Sequence, residues 1–261
     1  MGGAEMGLQI STGLYDFSYS RSEASEQVLL ESHCHFRFEI IAVISGSIDI
    51  MIEGQIYKCE GGEMAVIPPL TYHSVTISEK SEYRRITALF DSGVIPQTIR
   101  DGLSLNLKGS PIYSHPSVSR LIDDLYRAIG REETETYLPL AEAIATQMIY
   151  FCADNDAQLR GGGHGNGVLE KAIEYIDSHI TEKLSLDDIA EAVFISKSSL
   201  CHVFSERMMV SPKQYVIQKK MAYATMLIKN GASLTEAARA VGYENYSNFY
   251  RMYKKTESRG E

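Results

Sequence analysis

A chain of 261 residues, 44% hydrophobic and 23% charged, has the balance of a globular protein that buries one large or two ordinary cores, and two domains are expected. No apolar run approaches the ~18 residues of a membrane span, and the opening MGGAEMGLQIS has neither the basic nor the apolar region of a secretory leader, so no membrane partner and a cytoplasmic location are expected. Cys34, Cys59, Cys152 and Cys201 are scattered without a CxxC pair, which argues for reduced thiols and against a disulfide frame or a zinc knuckle.

From Leu8 to about Phe90 the chain alternates in short β-rich runs (FEIIAVI, SIDIMI, EMAVIPP, YRRITALF) punctuated by SGS, EGQ, EGGE and PP. Many short strands at regular spacing predict a small barrel or sandwich. Within it HCHFRFE supplies His33, His35 and Glu39, followed by Gly46, and GEMAVIPPLTYH runs from Gly62 through Pro68 to His73. His33 and His35 alternate on a strand and point the same way, Glu39 is able to join them, and His73 approaches from a facing strand. Three imidazoles and a carboxylate suit Zn, Fe, Ni or Mn. The spacing resembles both motifs of the cupin barrel, HxHx3Ex6G and Gx5PxGx2H, with Leu70 at the second Gly position and no terminal Asn. Tyr15, Tyr19, Tyr57, Tyr72 and Tyr83 also fall here and offer a pocket apolar walls with polar tips.

Between Ser117 and Asp154 the apolar period changes to three or four residues: Val118, Leu121, Ile122, Leu125 and Ile129, then Leu138, Ala141, Ile144, Ala145, Met148, Ile149 and Cys152. Two amphipathic helices are expected, packed as a hairpin on the barrel, with a surplus apolar face for a partner subunit. The stretch DNDAQLRGGGHGNGV, Asp154 to Val168, then reads as a flexible linker.

Beyond the linker the chain reads as helical and repeats itself. Leu186, Ala190, Ala192 and Val193 match Leu234, Ala238, Ala240 and Val241 at an offset of 48, and Leu200 and Phe204 match Phe249 and Tyr253 at 49. Ser185 with Asp188 and Ser233 with Glu236 form capping boxes at the head of each copy, Ser196 and Asn245 are N-caps of the second helices, and Ser211-Pro212 opens a connecting helix. Each copy is a helix-turn-helix. Its second helix, anchored through Leu200, Val203 and Phe204 or Phe249, Met252 and Tyr253, exposes Lys197, Ser198, Cys201 and His202 in the first copy. In the second copy it exposes Tyr246, Ser247, Tyr250 and Arg251, followed by Lys254 and Lys255. Arginine bonds guanine bidentately, while Lys, Tyr and small hydroxyls hold phosphates or bases. The net charge of -9 does not oppose this reading, because the excess acid sits elsewhere. Residues 1–167 carry 12 Lys+Arg against 22 Asp+Glu, whereas Ala192 to Lys255 holds 10 basic and 3 acidic residues.

Residues 168–256 resemble the DNA-binding domain of the AraC/XylS family of bacterial transcription regulators, through LSLDDIAEAVFISKSSLCHVFSE, SPKQYVIQKKMAYATMLI and SLTEAARAVGYENYSNFYRMYKK. The resemblance implies two recognition helices in successive major grooves, about 34 Å apart on one face of double-stranded DNA. Three features depart from the pattern: Met209 replaces a usual Gly, Lys219–Lys220 replaces a common Arg, and KKTESRGE lacks the usual tail that buttresses the second unit. In such regulators a cupin-like barrel often keeps the H-x-H-x3-E trace while serving as a small-molecule pocket. The expected fold is thus α+β and multidomain: a cupin-like sensor barrel (1–95), a helical dimerisation segment (96–157), a Gly-rich linker (158–167) and an all-α double helix-turn-helix domain (168–261). The expected function is sequence-specific transcription regulation by a homodimer that senses a small-molecule effector at His33, His35, Glu39 and His73 and contacts DNA and RNA polymerase. No cofactor and no catalysis are expected. The alternative is a divalent transition metal at those four residues, serving a dioxygenase or isomerase fused to the DNA reader.

Overall fold

The computed structural model describes residues 5–23, 28–29, 32–77, 82–106, 110–130, 134–154 and 167–257. The strands in chain order are β1 (Glu5–Ser11), β2 (Tyr15–Glu23), β3 (Val28–Leu29), β4 (Phe38–Ser45), β5 (Ser47–Ile52), β6 (Gln55–Glu60), β7 (Met64–Ile67), β8 (His73–Ile77), β9 (Glu82–Phe90) and β10 (Ile112–Tyr113). Six of them form an antiparallel sheet in the order β1-β2-β9-β4-β7-β10, and four form a second in the order β3-β8-β5-β6. Ile41 and Val43 of β4, Ile48 and Ile50 of β5, Cys59 of β6, Ile67 of β7 and Val75 and Ile77 of β8 meet between the sheets in one buried cluster. The expected barrel is present.

Strand β4 is buried along both faces. Successive side chains point to opposite sides of a strand, so Ile41 and Val43 enter the interior while Phe38, Ile40 and Ala42 emerge on the outer face of the large sheet. That face is covered by α2 (Pro116–Ile129) and α3 (Thr134–Ala153), behind α1 (Gln97–Asn106). The expected apolar periodicity is there, but it serves this covering. Val118, Leu121, Ile122, Leu125 and Ile129 of α2 and Ala141, Ile144, Ala145, Met148, Ile149 and Cys152 of α3 are all buried in the monomer's own core. What α3 turns outward is a narrower stripe of Leu140, Ala143, Gln147 and Tyr150, with Leu140 49% and Tyr150 44% exposed.

The predicted linker lies outside the described residues except for Gly167, which caps α4 (Val168–Ser178). Next come α5 (Leu186–Ala192), α6 (Lys197–Met208), α7 (Pro212–Lys229), α8 (Leu234–Ala240) and α9 (Tyr246–Glu257). Their boundaries fall where the capping signals place them. Ser185 with Asp188, Ser211 with Gln214 and Ser233 with Glu236 form reciprocal capping boxes, Ser196 Oγ accepts from the Ser199 amide, and Asn245 Oδ1 accepts from Asn248. The two copies bury separate cores on either side of α7, one around Leu200, Phe204 and Tyr215 and the other around Ala238, Phe249 and Tyr253. At 18 residues α7 spans about 27 Å.

Two departures from the family pattern acquire physical meanings. Met209 ends α6 in the left-handed region at φ 54, a conformation that costs a non-glycine residue on the order of 1–2 kcal/mol. Lys220 is 6% exposed, and its ammonium donates to the carbonyl of Glu182, in the loop before α5, and to that of Val241, which ends α8. One cation on the connecting helix therefore holds both units. Gly242 lets them approach, since a Cβ there would lie 2.7 Å from the Glu182 carbonyl. Residues 258–261, with the expected tail defect, lie outside the described residues. Replacing Lys220 by Met leaves the buried Val241 carbonyl and the part-buried Glu182 carbonyl without this donor, and chemical denaturation of the full chain is expected to show a loss of roughly 2–4 kcal/mol.

Candidate DNA interface and sensor site

The ten residues proposed to read DNA come together as two exposed helix faces of different character. On α6, Lys197 pairs with Asp187 Oδ2 at 2.7 Å, the Ser198 hydroxyl shares a 2.8 Å hydrogen bond with Ser196, and Cys201 is half-buried. His202 is exposed and faces Glu206 at 3.7 Å. An acid therefore stands beside each basic group of the first reader. On α9, the exposed Tyr246 and Tyr250 stack at 5.9 Å, and the Lys254 ammonium lies 6.0 Å from the Tyr250 ring centre. Ser247, Arg251 and Lys255 are exposed beside them. Arg251 Nη2 donates to Asn248 Oδ1 at 3.2 Å, which brings into the site a residue that sequence reasoning passed over. Asn248 sits one turn before Arg251 on the same face, and an amide at that place is able to bond adenine. Helical spacing alone was enough to find it.

The other predicted set also converges. Donor atoms of His33, His35, Glu39 and His73 all lie within 4.8 Å of one another. The His33 and His73 backbones bond each other in both directions, at 2.9 and 3.0 Å, which seats their rings 4.3 Å apart at the edge of the small sheet. Glu39 points inward from β4, and its Oε2 is 3.1 Å from His35 Nε2 and 2.9 Å from His73 Nε2. Burial works against the charge on Glu39, but the two imidazoles outweigh it and hold the carboxyl well below its ordinary range. Burial likewise opposes protonation of His73, yet the Glu39 carboxylate raises its pKa.

The opposite ring nitrogens are already engaged: His35 Nδ1 meets the Arg37 carbonyl and His73 Nδ1 the Thr71 carbonyl, each at 2.9 Å. A neutral imidazole that donates from Nδ1 carries its lone pair on Nε2. Both Nε2 atoms would then direct lone pairs at a carboxylate oxygen, so the arrangement needs a cation, either a proton on each ring or a metal among the four donors. The residues fit such a metal in donor type and in the backbone hydrogen bonds that orient the rings. His33 is the exposed member of the set.

The five tyrosines expected around a pocket are dispersed. Tyr83 enters the barrel interior and Tyr57 packs at its margin, but Tyr15 and Tyr19 lie on the outer face, where Tyr15 bonds Thr146 and Tyr19 packs on Tyr126. Tyr72 points away from the barrel to meet Tyr215 of α7 at 5.4 Å. Its register on the strand, which the sequence does not fix, decides this.

Comparison with known proteins agrees with both halves. A family model described as the AraC-like ligand binding domain matches residues 14–149, more than half the chain, and one described as a helix-turn-helix domain matches 189–259. The chain is 23% identical over 225 residues to the uncharacterized HTH-type transcriptional regulator YdiP of Escherichia coli (strain K12), covering 82% of this chain and 74% of that one. It is 23% identical over 229 residues to YobQ, another such regulator, of Bacillus subtilis (strain 168), covering 87% and 86%. The crystal structure of ToxT from Vibrio cholerae superimposes over 93% of this chain and 94% of that one at 14% identity, with a TM-score of 0.42. With a ligand-binding barrel ahead of paired helix-turn-helix units, the chain belongs to the AraC family of DNA-binding transcription regulators.

Proposed function

We propose that this regulator reads a two-part DNA site with α6 and α9, and that its effector binds at the end of the barrel lined by His33, His35, Glu39 and His73. The observation that carries the effector site is the convergence of four donors within 4.8 Å of one another, with His33 exposed among them. Its place favours sensing over turnover, because His73 directly follows Tyr72, which touches the DNA-reading domain. A second reading of the occupant rests on the opposed lone pairs at Glu39: the effector is, or is anchored by, a divalent first-row transition metal. The protein acts in the cytoplasm, as a homodimer, with RNA polymerase as its partner at the promoter. The outward stripe of α3 supports the dimer, since its exposed Leu140 and Tyr150 stand where few charges interrupt the helix.

The two readers contribute unequally. Asp187 and Glu206 offset the cations of α6, whereas Arg251, Lys254 and Lys255 gather on α9. On a site selected from random DNA, Arg251→Ala is expected to cost roughly 1–3 kcal/mol and to relax preference at one base pair. Lys254→Ala weakens all sequences alike and lowers the salt slope by about one unit. His202→Ala has the smaller effect, and a larger loss there than at Arg251 in binding titrations would reverse the order.

Sedimentation separates the interface from the core. Leu140→Glu and Tyr150→Glu are expected to yield folded monomers, whereas Leu125→Glu, which places a carboxylate in the monomer's core, prevents folding. For the occupant, calorimetry of the purified chain with Zn²⁺ is expected to show one equivalent bound, weakened at least tenfold in His35→Ala. Absence of heat would leave the effector organic.

A further inference from the structure

One small turn of the barrel carries the polar contacts to the DNA-reading domain, beside an apolar contact through Cys34, Met51 and Tyr72. Strands β5 and β6 pair through Ile52 and Gln55, which leaves Glu53 and Gly54 as a two-residue hairpin with φ of 47 and 78. Positive φ at both positions defines a turn that favours Asn-Gly or Gly-Gly. A glutamate there holds an unfavourable backbone conformation, and its carboxylate accounts for its presence. Glu53 Oε1 accepts from the Tyr72 amide at 2.9 Å and from Lys219 Nζ at 3.1 Å, while Oε2 accepts from the Tyr215 hydroxyl at 2.7 Å. Tyr215 and Lys219 both lie on α7, and Lys219, 3% exposed, also bonds Asp177 of α4 at 2.6 Å. Beside them Arg207 of α6 donates to the Gly54 carbonyl at 3.3 Å and to Glu170 at 2.8 Å, and Glu170 accepts from Gln55 at 2.7 Å.

This contact is polar at its centre and apolar around it, where Cys34, Met51 and Tyr72 of the barrel pack in one cluster with Leu169, Ile173 and Met208 of the DNA-reading domain. Junctions between domains of mixed character such as this are able to separate. A buried carboxylate between a lysine and a tyrosine is held firmly while paired, yet on separation each charge regains water. The same carboxylate is tied to the sensor site. Glu53 and Tyr72 bond each other reciprocally, the Glu53 amide donating to the Tyr72 carbonyl at 2.9 Å, and the next residue, His73, pairs through its backbone with His33. The His33–His73 backbone bonds, the Tyr72–Glu53 hydrogen bonds and the Glu53–Lys219 ion pair thus join the His cluster to α7.

We infer that the Glu53–Gly54 turn is a releasable latch, which holds the DNA-reading domain against the barrel and relays the state of the His33, His35, Glu39 and His73 cluster to it through Tyr72. The relay rests on the reading of that cluster as the effector site; the latch itself does not. While closed, it keeps a strongly acidic barrel against the C-terminal half of α6, where the field opposes DNA phosphates. Release removes that opposition and frees the orientation of both readers.

Two variants of the full-length chain test the latch by different physics. Glu53→Gln removes the charge that holds Lys219. Gly54→Ala inserts a Cβ that would lie 2.5 Å from Leu169 Cδ2 and 3.1 Å from Met208 Sδ, side chains of the opposite domain. Both are expected to give an enlarged small-angle scattering envelope and at least a threefold gain in affinity for the selected DNA site. Envelopes as compact as wild type in both, or open envelopes without the gain, overturn the latch. The relay is read without any ligand. Glu39→Gln loosens His73 within the cluster and is expected to raise amide exchange across Tyr215–Lys219 severalfold. Unchanged exchange there, in a variant whose barrel remains folded, overturns the relay. Failure of the metal form of that reading looks different: Zn²⁺ produces no heat on wild type while both structural effects persist, and an organic effector is left as the occupant.

Discussion

The two-faced burial of β4 is the constraint on which the sensor half depends. Because side chains alternate, one register sends Ile41, Val43 and Glu39 into the barrel and Phe38, Ile40 and Ala42 beneath the helices. A slip of one residue would put the carboxylate under α2 and α3 and a phenylalanine among the histidines. Pairing with β7 on one side and β9 on the other forbids that slip. The seating of the helical pair and the position of the only carboxylate in the histidine cluster are therefore one decision, made by the apolar pattern of a single strand.

The two halves use charge in opposite ways. In the barrel, Glu39 is tolerated in the interior because imidazoles surround it. In the DNA-reading half, Lys219 and Lys220 are buried side by side on α7 with different partners. Carboxylates from both domains meet Lys219, whereas backbone carbonyls from two helical units meet Lys220. Burial of an ammonium is costly unless its donors are satisfied, and here each lysine is satisfied only when separate parts of the chain come together. Adjacent residues thus secure two different junctions, one between domains and one within a domain.

Much of this was legible in the sequence. The short β-rich runs, the repeated helical device and its capping boxes gave the architecture, because each depends on residues a few positions apart. The cluster at His33, His35, Glu39 and His73 was legible through spacing. The surplus apolar face on α2 and α3 was overestimated, since periodicity reveals that a face is apolar but not what covers it. Five tyrosines were assigned to a pocket that only register could allot. Glu53 was invisible: Glu-Gly between two strands reads as punctuation, and its partner Tyr215 is 162 residues away. Asn248 beside Arg251 was within reach of helical geometry, whereas Asp187 meets Lys197 only through the turn between α5 and α6.

The bond from Lys220 to both helical units has a consequence for the promoter. With α7 as a continuous bar and one buried cation binding each end's loops to it, the distance and phase between α6 and α9 are set within the protein. Inserting one base pair between the two halves of a site lengthens it little but turns the far half by about 35° around the duplex. A hinged pair of readers would absorb that turn; the continuous α7 and the Lys220 bonds resist it. If α6 and α9 read the two halves as proposed, the spacer between half-sites is as much a part of the recognised sequence as any contacted base.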